Sequence, residues 1–180
     1  MLKTKRLILR QWSEDDYLPF SEMCLDEDVM EFFPRLQPIE ESQAMATMIR
    51  SLIEERGWGF WAVELPAKKK FIGFVGLHTP SHKLPFSPCV EIGWRLSKDS
   101  WGKGYATEAA QTALMFAFAD LDLDEVVAFT TVGNQRSQHV MTKIGMTDSG
   151  HNFMHPDIDT ENPQCEHVLY KISRKKFFEE

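Results

Sequence analysis

The middle of the chain alternates strand-like and helix-like segments, and this alternation limits the possible folds more than any other feature. Cys89–Leu96 and Glu125–Val132 have the composition of strands, and a helical pattern follows each of them, at Lys103–Asp120 and Gln135–Ile144. A strand, a crossover helix and a second strand in one sheet place the two strands parallel. The sequence therefore predicts a sheet with at least one parallel pair of strands.

Shorter connections flank this unit and predict antiparallel pairing around it. The predicted order is β-α-α-β-β-β-α-β-α-β-β, which describes an α+β fold with a mixed, mostly antiparallel central sheet and helices on both faces. The remaining predicted helices run from Ser13 to about Asp26 and over Ile39–Arg56. The remaining predicted strands are residues 3–11, Trp58–Leu65, Phe71–His78, 146–153 and 166–173.

Length and charge exclude several classes of protein. A chain of 180 residues with no linker or repeat predicts a single domain over residues 1–180. The chain has 20 Lys and Arg against 27 Asp and Glu, a formal charge of −7, so it has no global basic footprint for nucleic acid. The longest apolar run, Ala113–Ala119, is far short of the roughly 20 residues that a membrane helix needs. We expect neither nucleic acid nor membrane as a partner.

The cysteines and the N-terminus indicate a cytoplasmic protein. Cys24, Cys89 and Cys165 are odd in number and widely spaced, which argues against a disulfide framework. The basic stretch Met1–Arg10 has no long apolar segment behind it, so we expect no secretory signal.

The sharpest local signal is the glycine turn, Ser100-Trp-Gly-Lys-Gly-Tyr-Ala-Thr-Glu108, which follows a predicted strand and opens a predicted helix. Two glycines let the backbone approach a ligand, and the free N–H groups of a first helical turn suit a phosphate or pyrophosphate. The spacing is not that of a Walker A loop, and Thr107 stands where a dinucleotide fingerprint has its third glycine. The alternative is a tight turn that binds nothing.

Two signatures in this order resemble the GNAT superfamily of N-acetyltransferases. Trp101-Gly-Lys-Gly104-Tyr-Ala106 is similar to the acetyl-CoA signature Arg/Gln-x-x-Gly-x-Gly/Ala, with Trp at the first position. Asn134-Gln-Arg-Ser137, a helix and Lys143-Ile-Gly-Met146 resemble the second signature of the ribosomal-protein N-terminal acetyltransferase (Rim-type) branch, and Thr4–Trp12 resembles its start. The match spans nearly the whole chain.

The resemblance implies a three-layer α/β/α fold, acetyl-CoA as co-substrate and a cofactor site between two splayed strands. The strand Cys89–Leu96 and the segment Thr130–Asn134 would separate, and the pantetheine arm would pair with the opened edge. The expected cofactor-binding residues are Trp94, Leu96, Trp101, Gly102, Lys103, Gly104, Tyr105, Ala106, Thr107, Asn134 and Ser137.

Glu91 is the candidate general base, because an attacking amine must first lose a proton. Strand alternation places Glu91, Gly93 and Arg95 on one face, and a carboxylate inside an apolar strand requires an explanation. The alternatives are a salt bridge to Arg95 or a solvated sheet edge. Glu166 and Glu31 are weaker candidates for the same role.

Ser137 is the candidate general acid. Many members of the superfamily place a tyrosine seven residues after the asparagine to protonate the leaving thiolate, but this chain has Met141 there. Ser137 lies one turn earlier on the same helix face and carries a hydroxyl. The alternative is that Ser137 only fills a small-residue position near the helix start.

The sequence thus predicts an acetyl-CoA-dependent N-acetyltransferase that acts on a primary amine, either a protein N-terminus or a small molecule, as a monomer or homodimer. Transfer would be direct, within a ternary complex. No metal is expected, because His151, His155, Cys165 and His167 lie in a segment without helical spacing. The alternatives are a CoA-binding regulatory module with little turnover and another phosphate-binding enzyme.

Overall fold

A computed structural model describes residues 1–81 and 83–179 of the chain. The strands are β1 (Leu2–Lys3), β2 (Ile8–Arg10), β3 (Phe60–Leu65), β4 (Lys70–His78), β5 (Glu91–Leu96), β6 (Glu125–Thr131), β7 (Thr147–Asp148), β8 (Phe153–Met154) and β9 (Glu166–Ser173). The helices are α1 (Tyr17–Cys24), α2 (Ile39–Arg56), α3 (Tyr105–Ala119), α4 (Gln135–Lys143) and α5 (Arg174–Glu179).

The strands form one mixed sheet in the order β1-β2-β3-β4-β5-β6-β9-β7, and β8 also pairs with β9. Among these strand pairs only β5 and β6 are parallel. The parallel pair joins the two strands that flank α3, as the crossover predicts. The predicted mixed, mostly antiparallel sheet is confirmed.

Helices cover both faces of the sheet and make three layers. Phe20 of α1 contacts Phe74 of β4, with ring centroids 5.9 Å apart. The neighbouring Val75 points to the other face, as does its cross-strand partner Trp61, whose ring contacts Phe116 of α3 at 5.3 Å. The face of α3 that meets the sheet is rich in alanine, and Ala109, Ala110, Ala113 and Ala117 are fully buried. Small side chains let this helix lie close to the sheet.

Two predicted strands are each divided by a turn. In residues 3–11, the Thr4 hydroxyl accepts hydrogen bonds from the N–H groups of Arg6 (3.2 Å) and Leu7 (2.9 Å), so the segment folds into the β1–β2 hairpin. In residues 146–153, Gly150 has φ +70°, and the chain bends between β7 and β8. Both halves still pair with β9.

The structure adds a C-terminal helix that the sequence pattern did not indicate. α5 packs through Phe177, whose ring centroid lies 5.2 Å from that of the buried Phe118 of α3. In residues 1–81 and 83–179, no helix is long and apolar enough to cross a membrane.

Candidate active site

The parallel strands β5 and β6 separate after one register pair, and this leaves an opening in the sheet. The pair is Glu91 with Val127, and the N–H of Val127 donates to the carbonyl of Val90 at 3.0 Å. At the far end of β5, the N–H of Ser97 donates instead to Ile72 on the β4 side, at 2.9 Å. Splaying therefore begins directly after Glu91.

The alternation of backbone groups shows which residues of β5 face the opening. Because Ser97 bonds to β4, the odd-numbered residues of β5 use their N–H and C=O groups on that side. The groups of Trp94 and Leu96 then point toward β6, from which the strand has separated, while the Glu91–Val127 bridge still uses the Ile92 N–H. The Leu96 carbonyl accepts a hydrogen bond from Trp101 Nε1 at 2.9 Å. The Leu96 N–H and the backbone groups of Trp94 form an open edge that can take an extended ligand.

The glycine turn presents an uncovered row of backbone N–H groups at the start of α3. Gly102 and Gly104 have φ values of +70° and +77°, in the left-handed region that favours glycine. A Cβ on Gly102 would meet no atom within 4 Å, and one on Gly104 would meet only Arg6 Nη2, at 3.4 Å. Within the described ranges, the N–H groups of residues 102–107 make no hydrogen bond. Free backbone N–H groups at the start of a helix, here the glycine cradle, suit an anion such as a phosphate or pyrophosphate.

The N-terminal hairpin holds this turn in place, and the sequence pattern gave no signal for it. Arg6 Nη1 donates to the Lys103 carbonyl at 2.8 Å, and Arg6 Nη2 lies 2.6 Å from Glu108 Oε2. Burial acts to raise the pKa of Glu108, but hydrogen bonds from Thr4 and Arg6 lower it overall. Arg6 thus neutralises a carboxylate that would otherwise repel an anion at the cradle.

Asn134 and Ser137 lie where β6 leads into α4. The Asn134 side chain caps the helix by accepting from the Ser137 N–H at 3.1 Å, and its amide nitrogen donates to Thr130 Oγ1 at 2.9 Å. The Ser137 hydroxyl is half-buried and has no hydrogen-bond partner among the described residues. Met141, at the position of the usual tyrosine, is buried and 1% exposed. Ser137 is therefore available to a ligand, and Met141 is not.

Glu91 is a half-buried carboxylate with neither an ion-pair partner nor a hydrogen-bond partner for its side chain in the described part of the chain. Burial raises its pKa to about 8. The next residue on the same face is Gly93, where a Cβ would come within 3.1 Å of the Phe60 ring. Glu91 thus lies at the closed end of the β5–β6 opening, two residues before a glycine that faces the Phe60 ring.

Both alternatives considered for Glu91 are wrong. Arg95 forms no salt bridge with it, because the Arg95 guanidinium donates to Cys24 Sγ and Gln37 Oε1, each at 3.1 Å, and lies 4.3 Å from the Phe33 ring centroid. At Glu91 the strand is not a solvated edge, because that residue pairs with His78 of β4 on one side and with Val127 of β6 on the other.

The weaker candidates for the base are engaged elsewhere. Glu31 pairs with Arg136 at 2.7 Å, and Glu166 accepts from Asn152 Nδ2 at 2.9 Å. His155 and His167 approach each other, with ring centroids 5.1 Å apart. Even so, no group of three His, Cys, Asp or Glu residues in the described ranges is arranged to hold a metal ion.

Comparison with known proteins agrees with this geometry. The acetyltransferase (GNAT) domain family matches residues 6–147. An uncharacterized N-acetyltransferase of Bacillus subtilis, YnaD, is 30% identical over 177 residues, 98% of each chain. A GNAT-family acetyltransferase structure from Bacillus anthracis aligns over 97% of this chain and 98% of its own, with 26% identity and a TM-score of 0.79.

A second similar structure is that of spermidine N-acetyltransferase from Vibrio cholerae in complex with CoA and spermine. It covers 96% of this chain and 98% of its own, with 20% identity and a TM-score of 0.73, and shares the fold. The chain belongs to the GNAT acetyltransferase family. It is an N-acetyltransferase whose co-substrate is acetyl-CoA, which agrees with the open edge of β5 and the glycine cradle.

Proposed function

We propose that this enzyme transfers the acetyl group of acetyl-CoA directly to a primary amine in a ternary complex, with Glu91 as the general base. The observation that carries the proposal is the unpartnered, half-buried Glu91 carboxylate at the point where β5 and β6 separate. A carboxylate whose pKa is about 8 removes a proton from an ammonium group better than an ordinary one does.

The cofactor would follow the open edge from the glycine cradle toward Glu91. The pyrophosphate would rest on the amides of Gly102, Lys103, Gly104, Tyr105, Ala106 and Thr107, and Trp101 would support that turn through its bond to Leu96. The pantetheine arm would pair with backbone groups of Trp94 and Leu96 on one side and with Asn134 and Ser137 on the other. Bound in this way, acetyl-CoA supplies the electrophilic thioester carbonyl.

The chain's own groups would move the protons. Glu91 takes a proton from the ammonium, directly or through water, and the neutral nitrogen then attacks the thioester carbon. A C–N bond forms, and backbone N–H groups near Ile92 to Trp94 stabilise the negative charge that develops on the carbonyl oxygen. The C–S bond breaks, the second proton of the nitrogen passes through water to the departing sulfur, which leaves as the thiol, and Glu91 returns its own proton to solvent. The Ser137 hydroxyl hydrogen-bonds the sulfur as it departs.

The acceptor class and the branch of the GNAT family are further parts of the proposal. The Asn134–Met146 signature and Trp101 favour the Rim-type branch, whose resemblance implies a protein N-terminus as acceptor, while a small-molecule amine fits the same chemistry. The formal charge of −7 suits a cationic acceptor. We propose one N-acetyltransferase domain over residues 1–180, present in the cytoplasm as a monomer or homodimer.

An acceptor screen tests the proposal. Wild-type protein is incubated with acetyl-CoA and separate pools of polyamines, amino acids and peptides with free N-termini, and the products are read by mass spectrometry alongside thiol release. The expected result is an acceptor product about 42 Da heavier, formed in proportion to free CoA. Thiol release that no amine accelerates would contradict acyl transfer to an amine.

A further inference from the structure

Arg136 lies between the glycine turn and the connection that joins α1 to α2, residues 25–38. Its guanidinium carbon lies 4.5 Å from the Trp101 ring centroid and 5.3 Å from that of Phe32. Its Nη2 atom donates to Glu31 Oε2 at 2.7 Å. Because Trp101 follows β5 and Arg136 follows β6, these contacts span the opening at the carboxyl ends of the two splayed strands.

The connection from α1 to α2 also contacts the segments that precede α4 and β9. The Phe32 ring lies 3.5 Å from the position that a Cβ on Gly133 would occupy. Gln164, near the start of β9, donates to the Glu31 carbonyl at 3.4 Å. The Glu31–Arg136 pair is thus part of a tie between this connection and the β6–α4 side of the opening.

The pair is weak enough to exchange partners. The side chains of Arg136 and Glu31 are 53% and 50% exposed, and exposed ion pairs contribute little to stability. A guanidinium binds phosphate through two parallel hydrogen bonds, and a CoA phosphate can carry more charge than one carboxylate. Arg136 is therefore placed to prefer a cofactor phosphate to Glu31 once CoA occupies the turn.

We propose that Arg136 binds a phosphate of CoA and that Glu31 competes for the same guanidinium when the cofactor is absent. The inference rests on the proposed cofactor site. Cofactor binding then frees the Glu31 carboxylate, and the connection over residues 25–38 loses one of its contacts with the β6–α4 side of the opening.

Calorimetric titration with CoA, without an amine, tests the competition. Removing the charge of Arg136 and removing that of Glu31 should change the CoA affinity in opposite directions. Arg136→Gln should weaken CoA binding about tenfold, and Glu31→Gln should tighten it about two- to fivefold. Glu41→Gln is the matched control, because Glu41 also forms an exposed pair with an arginine, Arg35, at 2.9 Å. The control should change the affinity by less than about twofold.

The double variant and a shortened cofactor sharpen the test. Glu31→Gln added to Arg136→Gln should not tighten CoA binding, because the guanidinium for which Glu31 competes is gone. With dephospho-CoA, loss of the Arg136→Gln effect assigns the contact to the 3′-phosphate, and persistence assigns it to the pyrophosphate; either supports the proposal.

Three results would overturn it. Weaker CoA binding by Glu31→Gln would mean that Glu31 holds Arg136 in position for the cofactor instead of competing with the cofactor for it. An Arg136→Gln variant with wild-type affinity would remove Arg136 from the cofactor site, while wild-type CoA binding and amine acetylation would leave the proposed function standing. A wild-type protein that binds no CoA would remove both.

Discussion

Glu91 is partly buried and its side chain has no partner among residues 1–81 and 83–179, and both conditions matter for its role. Desolvation raises its pKa to about 8, so at pH 7 roughly a tenth of the molecules carry the ionised form. The ionised form is correspondingly basic, and its proton affinity approaches that of an amine. A fixed cation beside it would have lowered the pKa, and the nearest cation on the same strand face, Arg95, is instead held by Cys24 and Gln37.

Ser137→Ala should lower kcat about tenfold with little change in acetyl-CoA affinity. Met141 cannot donate a proton, and the Ser137 hydroxyl, which has no partner among the described residues, is the group placed to bond the thiolate. The cost is modest because a thiol with a pKa near ~8.5 leaves fairly well unaided. Steady-state kinetics with varied acetyl-CoA separate kcat from affinity.

Thr142→Ala is the matched control, since it removes an exposed hydroxyl further along α4 that bonds only to the Gln138 carbonyl, at 3.0 Å. A large fall in acetyl-CoA affinity for Ser137→Ala would make Ser137 a cofactor-positioning group. No effect on either quantity would reduce it to a small residue at a helix start.

The glycine turn depends on elements distant in sequence. The turn lies between β5 and α3, but Arg6 and Thr4 of the N-terminal hairpin anchor its first helical turn through Glu108. The guanidinium of Arg6 also lies 4.7 Å from the Tyr105 ring centroid. The cradle is thus held from outside, and its backbone N–H groups remain free for the ligand.

Gly104→Val should weaken CoA binding at least tenfold, because a branched side chain would fill the cradle where the phosphate rests. The position has φ +77°, so the change also strains the backbone by roughly 1–2 kcal/mol. Gly57→Val separates the two effects, because Gly57 has a similar φ of +81° at the end of α2 and nothing within 4 Å of its Cβ position. Calorimetric titration with CoA and thermal melting measure both variants.

Both variants should lose stability, and only Gly104→Val should lose affinity. A folded Gly104→Val protein with wild-type CoA affinity would contradict the placement of the pyrophosphate.

The predicted bounds of the helices and interior strands agree with the structure more closely than those predicted for the two ends of the chain. α2 matches the predicted Ile39–Arg56 because its apolar period and the glycine after it are local signals. The β1–β2 turn depends on one hydroxyl, that of Thr4, which alternation cannot detect. α5 is held against the fold by the contact of Phe177 with Phe118, which lie 59 positions apart in the chain.

In the candidate site, too, local features were predicted from the sequence and long-range contacts were not. Local patterns were enough to locate Glu91, the glycine turn and Asn134, because each belongs to one strand or one helix start. The partners of Arg95, the Arg6–Glu108 contact and the Glu31–Arg136 pair join residues 58 to 105 positions apart in the chain. No sequence period encodes such pairs, because the folded sheet brings them together.

The raised pKa of Glu91 should also appear in the stability of the whole molecule. A carboxyl whose pKa is higher in the folded than in the unfolded state binds a proton on folding, so its contribution to stability falls as the pH rises from about 4.5 to about 8. The amide that replaces it in Glu91→Gln does not titrate. The melting temperature of Glu91→Gln relative to wild type should therefore rise by at least about 3 °C between pH 5 and pH 9. A difference that stays constant over this range would contradict the burial of an unpartnered carboxylate.

The pH dependence of acetyl transfer by wild type and Glu91→Gln tests the assigned base most directly. With an acceptor found in the screen, kcat/KM is measured from about pH 6 to about pH 10. Wild-type activity should rise with pH through about 8, as Glu91 ionises. Glu91→Gln should be slower by about 10²-fold at pH 7 and approach wild type at high pH, where the amine is already neutral. A Glu91→Gln enzyme with the wild-type rate at pH 7 would contradict the account and assign the base role to water or another residue.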